Sequence, residues 1–114
     1  MLVTVAELPE YQRRADKLLT GAELQEVVDY LAAFPGEGDL IRGTGGVRKL
    51  RWARGGRGKS AGVRVIYYFH SVRIPLYLLT VFAKNERDDL TLGERNDLAK
   101  LVRILVDTAM EKLT

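Results

Sequence analysis

The chain has 114 residues, 46% of them hydrophobic and 29% charged, with 18 Lys+Arg against 15 Asp+Glu and no cysteine. That is the size of one domain with one core, in which roughly 65% of the surface exposed by the unfolded chain is buried. The composition excludes a disulfide framework, cysteine-based zinc sites and thiol nucleophiles, and no apolar run approaches the roughly 20 residues that span a bilayer.

The leading segment, Met1 to Glu10, carries acids and no basic residue. This is the wrong charge for a secretory or mitochondrial leader, so a cytoplasmic protein is expected. Within it Leu2 to Val5 is a short apolar run that can add an edge strand. Pro9 suits a first helical position, and Tyr11, Ala15, Leu18 and Leu19 then recur at helical spacing. A second helix starts at Thr20, where Thr20-Gly21-Ala22-Glu23 has the form of a capping box, and Leu24, Val27, Val28, Leu31 and Ala32 make its apolar stripe. Phe34-Pro35-Gly36 ends it.

The period then changes to two. Val47 to Ala53 sets Arg48, Leu50 and Trp52 against Val47, Lys49 and Arg51, and Val63 to Phe69 sets Val65, Tyr67 and Phe69 against Arg64, Ile66 and Tyr68. Ile74 to Phe82 is nearly all apolar, the mark of a strand covered on both faces. Nine of the eleven glycines fall between Gly36 and Gly62, in loops flanking the first basic strand. A final helix of about 20 residues begins at a second capping box, Thr91-Leu92-Gly93-Glu94, and continues through Leu98, Leu101, Val102, Leu105 and Ala109. The predicted order is β-α-α-β-β-β-α, an α+β fold with a small antiparallel sheet, two N-terminal helices and one C-terminal helix.

Charge is segregated along this order. No acid occurs from Leu40 to Asn85, a stretch holding Arg42, Arg48, Lys49, Arg51, Arg54, Arg57, Lys59, Arg64, Arg73 and Lys84, whereas the remainder carries 8 basic and 15 acidic residues. The middle is therefore +10 and the rest −7, the pattern of a surface that meets a polyanion. Alternation puts Lys49 and Arg51 on one strand face, and a hairpin brings Arg64 to within about 5 Å of its cross-strand partner. Cations so close repel each other unless an anion joins them. Trp52 and Tyr68 share strand faces with Arg48 and Arg64 respectively, which makes these two rings the candidates for contact with unpaired bases. Gly55-Gly56-Arg57-Gly58-Lys59-Ser60 ends like a phosphate-binding loop, but Ala53 stands where the first glycine is required and a strand follows in place of a helix. The lone histidine, His70, has no evident partner for catalysis or metal binding.

Three segments together carry a resemblance: Gly38-Asp39-Leu40-Ile41-Arg42-Gly43-Thr44-Gly45-Gly46-Val47-Arg48-Lys49-Leu50-Arg51-Trp52, Gly62-Val63-Arg64-Val65-Ile66-Tyr67-Tyr68, and Leu79-Thr80-Val81-Phe82-Ala83-Lys84-Asn85-Glu86. In this order and spacing the chain resembles the RelE/HigB toxins of bacterial type II toxin–antitoxin modules, and most nearly the HigB branch. The resemblance implies one toxin domain over residues 1–114 and a ribosome-dependent endoribonuclease that cuts messenger RNA through the substrate's own 2′-hydroxyl, without metal or other cofactor. It implies catalytic roles for Lys49, Arg51, Arg64 and Lys84, with arginine forks on phosphate oxygens and a lysine exchanging protons. Arg48, Trp52, Arg54, Arg57, Lys59, Tyr68 and Arg73 are the expected RNA contacts. The implied partners are the ribosome, messenger RNA and a helix-turn-helix antitoxin of the HigA kind, with operator DNA bound only through the toxin–antitoxin complex. One departure stands out: where several relatives have a tyrosine or histidine after the last strand, this chain has Asp88-Asp89-Leu90-Thr91. The competing readings are a non-catalytic RNA- or ribosome-binding module, and a toxin-fold protein acting mainly in operon repression.

Overall fold

A computed structural model describes residues 2–53 and 62–114 of the chain. Its elements are β1 (Val5–Glu7), α1 (Pro9–Leu18), α2 (Gly21–Ala33), β2 (Asp39–Leu40), β3 (Val47–Trp52), β4 (Val63–Tyr68), β5 (Leu76–Ala83) and α3 (Leu92–Glu111). The α+β reading holds with two refinements. A two-residue strand, β2, precedes the basic hairpin, and the leading strand lies two to three residues later than its apolar run suggested. The sheet has the order β1-β5-β4-β3-β2. It is mixed where an antiparallel sheet was expected, because β1 runs parallel to β5 while the other pairs are antiparallel. A parallel pair needs a long crossover, and here that crossover is the whole of α1 through β4.

Both capping boxes form as read. Thr20 and Thr91 each accept the backbone N–H of the glutamate three residues on, and each glutamate reaches back to the threonine N–H. Pro9 opens α1 without a side-chain cap. The helices divide between the two sheet faces. On one, Tyr11, Ala15 and Leu19 of the α1 segment and Val27 and Leu31 of α2 pack against Leu50, Val63, Val65, Tyr67, Leu76, Leu78 and Val81. On the other, Val102 of α3 packs with Ile41, Val47, Ile66, Tyr68, Leu79, Phe82 and Leu90. Every residue of β4 is buried, as befits the middle strand of five. Burying one such aliphatic side chain contributes roughly 1.5–3 kcal/mol, so these two clusters dominate stability.

One close approach ties the α2–β3 connection to the sheet. The Tyr67 hydroxyl donates to the Pro35 carbonyl and accepts the Gly38 N–H, both at 2.8 Å. A Cβ on Gly38 would lie 2.7 Å from the Tyr67 ring, so only glycine fits there. Arg48 donates to the Gly36 and Gly38 carbonyls at 3.0 and 2.7 Å from the same side.

Candidate nucleic-acid interface

Strand pairing decides which of the cations meet. Arg51 lies directly opposite Arg64, Lys49 opposite Ile66, and Val47 opposite Tyr68, so these six residues share the α3 side of the sheet. The third strand adds Phe82 beside Arg64, and Lys84 follows at its end, its N–H bonded to the Gly62 carbonyl. Val102 of α3 packs at the Val47 and Tyr68 end of this face. At the Arg51 and Arg64 end the sheet opens into a cleft of about 350 Å³ lined by Arg51, Trp52, Ala53, Arg64 and Lys84.

Arg64 is the unusual member. It is only 5% exposed, yet among the described residues its contacts are sparse: Nη1 donates to the Val63 carbonyl and Nη2 to Asp88 Oδ1, both at 3.4 Å, and Nε has no partner there. Buried guanidinium groups are ordinarily saturated with acceptors, because a desolvated donor left unpaired costs about 1–3 kcal/mol. Arg64 lines the cleft, where an oxyanion can add an acceptor to its sparse set.

The segment after β5 supplies countercharge. Lys49 Nζ lies 3.7 Å from Asp89 Oδ1, and Arg95 Nη2 lies 3.1 Å from Asp89 Oδ2, while the Leu90 N–H donates to Oδ1 at 2.8 Å. Burial pushes the Asp89 carboxyl up, but the Leu90 N–H, Lys49 and Arg95 outweigh it and hold the group below its ordinary value. Arg87 stands over the Phe82 ring, 4.5 Å from its centroid, and pairs with Glu94. That pairing, with the Thr91 N–H, lowers the Glu94 carboxyl to about 2.

Of the residues expected in catalysis, the structure brings Arg51, Arg64 and Lys84 around one cleft and sets Lys49 beside them, held by Asp89. Among the expected RNA contacts that lie in the described residues, only Trp52 lines the cleft, with its ring set edge-on to Tyr30, 5.6 Å between centroids. Arg48 is on the opposite face and engaged with the Gly36 and Gly38 carbonyls. Tyr68 is buried under α3, roughly 13 Å along β4 from Arg64, and burial pushes its hydroxyl pKa up. It is core packing in place, not an open stacking platform. Arg73 lies in the β4–β5 turn, at the far end of those strands from Lys84. Arg54, Arg57 and Lys59 lie outside the described residues. His70 is exposed and tilted against Tyr68, with 6.5 Å between ring centroids.

The sequence marked Asp88 and Asp89 only as standing where several relatives have a tyrosine or histidine. Their contacts to Arg64 and Lys49 span 24 and 40 positions, and the signal for them was their place just past the acid-free stretch. A second group of cations also escaped it: Arg13, Arg14 and Lys17 of α1, spaced to share one helix face, line a groove with Leu18 and Glu86.

Among the described residues no helix is long and apolar enough to cross a membrane. The chain matches the family described as the RelE toxin of the RelE / RelB toxin–antitoxin system over residues 7–114. With a match over nearly its whole length, a five-stranded sheet between helices and a cationic cleft at the end of its basic hairpin, the chain belongs to the RelE toxin family.

Proposed function

We propose that this toxin is an endoribonuclease that arrests translation by cutting messenger RNA on the ribosome. The observation that carries the reading is Arg64: a buried guanidinium, short of acceptors among the described residues, at a cleft that Arg51 and Lys84 also line. In the proposed reaction the substrate 2′-hydroxyl gives its proton to solvent water, its oxygen attacks the adjacent phosphorus and the P–O5′ bond breaks, leaving a 2′,3′-cyclic phosphate and a 5′-hydroxyl. The pentacoordinate intermediate carries more negative charge than the diester, so fixed cations bind it more tightly than the ground state. Arg51 and Arg64 hold its oxygens. The Lys84 ammonium delivers a proton to the departing 5′-oxygen, and Lys49, held by Asp89, adds positive potential from behind.

Cationic walls repel a metal ion, which supports a metal-independent mechanism. The cleft is small and has one aromatic wall, Trp52, so an unstructured RNA strand is poorly oriented by the protein alone. In-line geometry supplied from outside, by messenger held in a ribosomal site, answers that need. The place of action is then the cytoplasm. An antitoxin partner follows from the family; that it is a helix-turn-helix protein of the HigA kind, that the complex represses its own operon at operator DNA, and that the chain sits in the HigB branch are further parts of the proposal.

A binding-only reading draws on Asp88 and Asp89, carboxylates standing where a phenol or imidazole would assist proton transfer. Induction in a bacterial host with mapping of messenger 5′ ends separates the two. New cuts with growth arrest are expected for the wild type, and loss of both for Arg64→Ala, by about 100-fold or more in cleavage rate. Undiminished toxicity of a folded Arg64→Ala protein overturns the assignment; arrest without cuts supports the binding module.

A further inference from the structure

The two neighbouring carboxylates of the β5–α3 segment are held very differently. Asp89 is clasped at three points, by the Leu90 N–H, Arg95 and Lys49, which come from its own segment, from α3 and from β3. The Asp88 side chain is 75% exposed, and its one ion pair is to Arg64 at 3.4 Å, the outer limit of a hydrogen bond. Nothing else among the described residues anchors it. Arg64 itself is fixed by burial, so of the two partners the carboxylate is the one free to leave.

We propose that Asp88 is a built-in stand-in for the substrate phosphate. In the free protein its carboxylate occupies the Nη2 edge of Arg64, and an RNA phosphodiester displaces it and takes that edge. Carboxylate and phosphodiester present the same chemistry to a guanidinium, a pair of anionic oxygens matched to its fork. The phosphate has two advantages. Its two anionic oxygens can bridge Arg64 and a second cation, and Arg51 and Lys84 line the same cleft. Meanwhile Asp88 keeps a buried cation from standing uncompensated, which would destabilise the fold. The exchange therefore sets a threshold: weak or transient anions do not dislodge the carboxylate, whereas a positioned phosphodiester does. This inference rests on the nucleic-acid reading of the cleft but not on catalysis.

The test is a binding measurement with a fluorescently labelled, 2′-deoxy-substituted oligonucleotide, which can occupy the cleft but cannot be cut. Asp88→Asn removes the competing charge at a solvent-exposed position, and a thermal melt of the variant confirms that it is folded before its affinity is read. Its affinity is expected to rise about three- to fivefold at low salt, the range of an exposed ion pair. Loss of any nearby acid strengthens RNA binding somewhat, so Glu86→Gln, two residues from Lys84, serves as the reference and should change affinity less than twofold. The deciding comparison is the double variant. If Asp88 acts by occupying Arg64, then Asp88→Asn in an Arg64→Ala background gives no gain. A gain of the same size in that background, or equal gains from Glu86→Gln and Asp88→Asn, overturns the proposal. Absence of messenger cleavage alongside an Arg64-dependent gain would remove the nuclease reading and leave this one standing.

Discussion

The α3 side of the sheet has two ends built from the same strands at the same register, and they do opposite things. At one end Val47, Ile66 and Tyr68 are sealed beneath Val102 of α3. Two to four residues along, Arg51, Arg64 and Lys84 stand where apolar residues would have continued the core, and a cleft replaces the helix. A sheet face does not have to be either core or surface over its whole length. The apolar end holds the strands in register, and that rigidity lets the cationic end keep like charges close together without splaying.

Substitutions at matched positions test this division. Arg64→Ala should lose activity by the largest factor while the fold survives, since it removes a cation rather than a core anchor; a thermal melt beside the cleavage assay checks both. Tyr68→Ala should do the reverse. Truncating a buried aromatic costs about 3–5 kcal/mol, read as a lower denaturant midpoint, and any folded fraction should bind RNA as the wild type does. If Tyr68→Ala instead loosened RNA binding in the folded fraction, the two ends would not be separable. A smaller effect is expected at the boundary. Asp89→Asn leaves Lys49 and Arg95 without their shared carboxylate, and cleavage should fall about tenfold, with little change in the affinity for an uncleavable oligonucleotide. An equal fall in both would make Asp89 a general electrostatic contributor instead of a strut for Lys49.

The smallest effect concerns acid stability. Glu94 is lowered to about 2 in the folded protein from an ordinary value of 4.5. A depressed carboxyl contributes stability that is present above its unfolded pKa and is lost as the pH falls through the folded one. Denaturation midpoints should therefore drop between about pH 4.5 and pH 2, a slope that Glu94→Gln would flatten. The Glu94 side chain is 38% exposed, so solvent screening keeps the change modest. An unchanged slope in the variant would mean that Arg87 and Glu94 pair only loosely.

Much of this was legible in the sequence, and the reasons are local. Capping boxes are four-residue signals, and both formed. Alternation placed Lys49 and Arg51 on one face and Arg48, Leu50 and Trp52 on the other, and the hairpin did set Arg51 against Arg64. Alternation could not say which face a helix covers at which point, because both faces mix cations with aromatics. Hence Tyr68 looked as open as Trp52, and Arg48 looked as available as Arg51. The parallel β1–β5 pair and the reach of Asp88 and Asp89 back to Arg64 and Lys49 are contacts between distant parts of the chain, for which no short spacing exists.

The clasp on the opposite face, where Tyr67 and Arg48 grip the segment from Pro35 to Gly38, bears on the cleft without touching it. A strand that slips by one position turns every side chain over. For β3 that slip would drive Lys49 and Arg51 toward Tyr67 and the α2 core and turn Leu50 to the substrate side. The short β2, with two paired residues, offers little resistance of its own. By anchoring Arg48 to fixed carbonyls, the clasp works as an indexing pin, and the chemistry of one face is kept true by a hydrogen-bonded joint on the other.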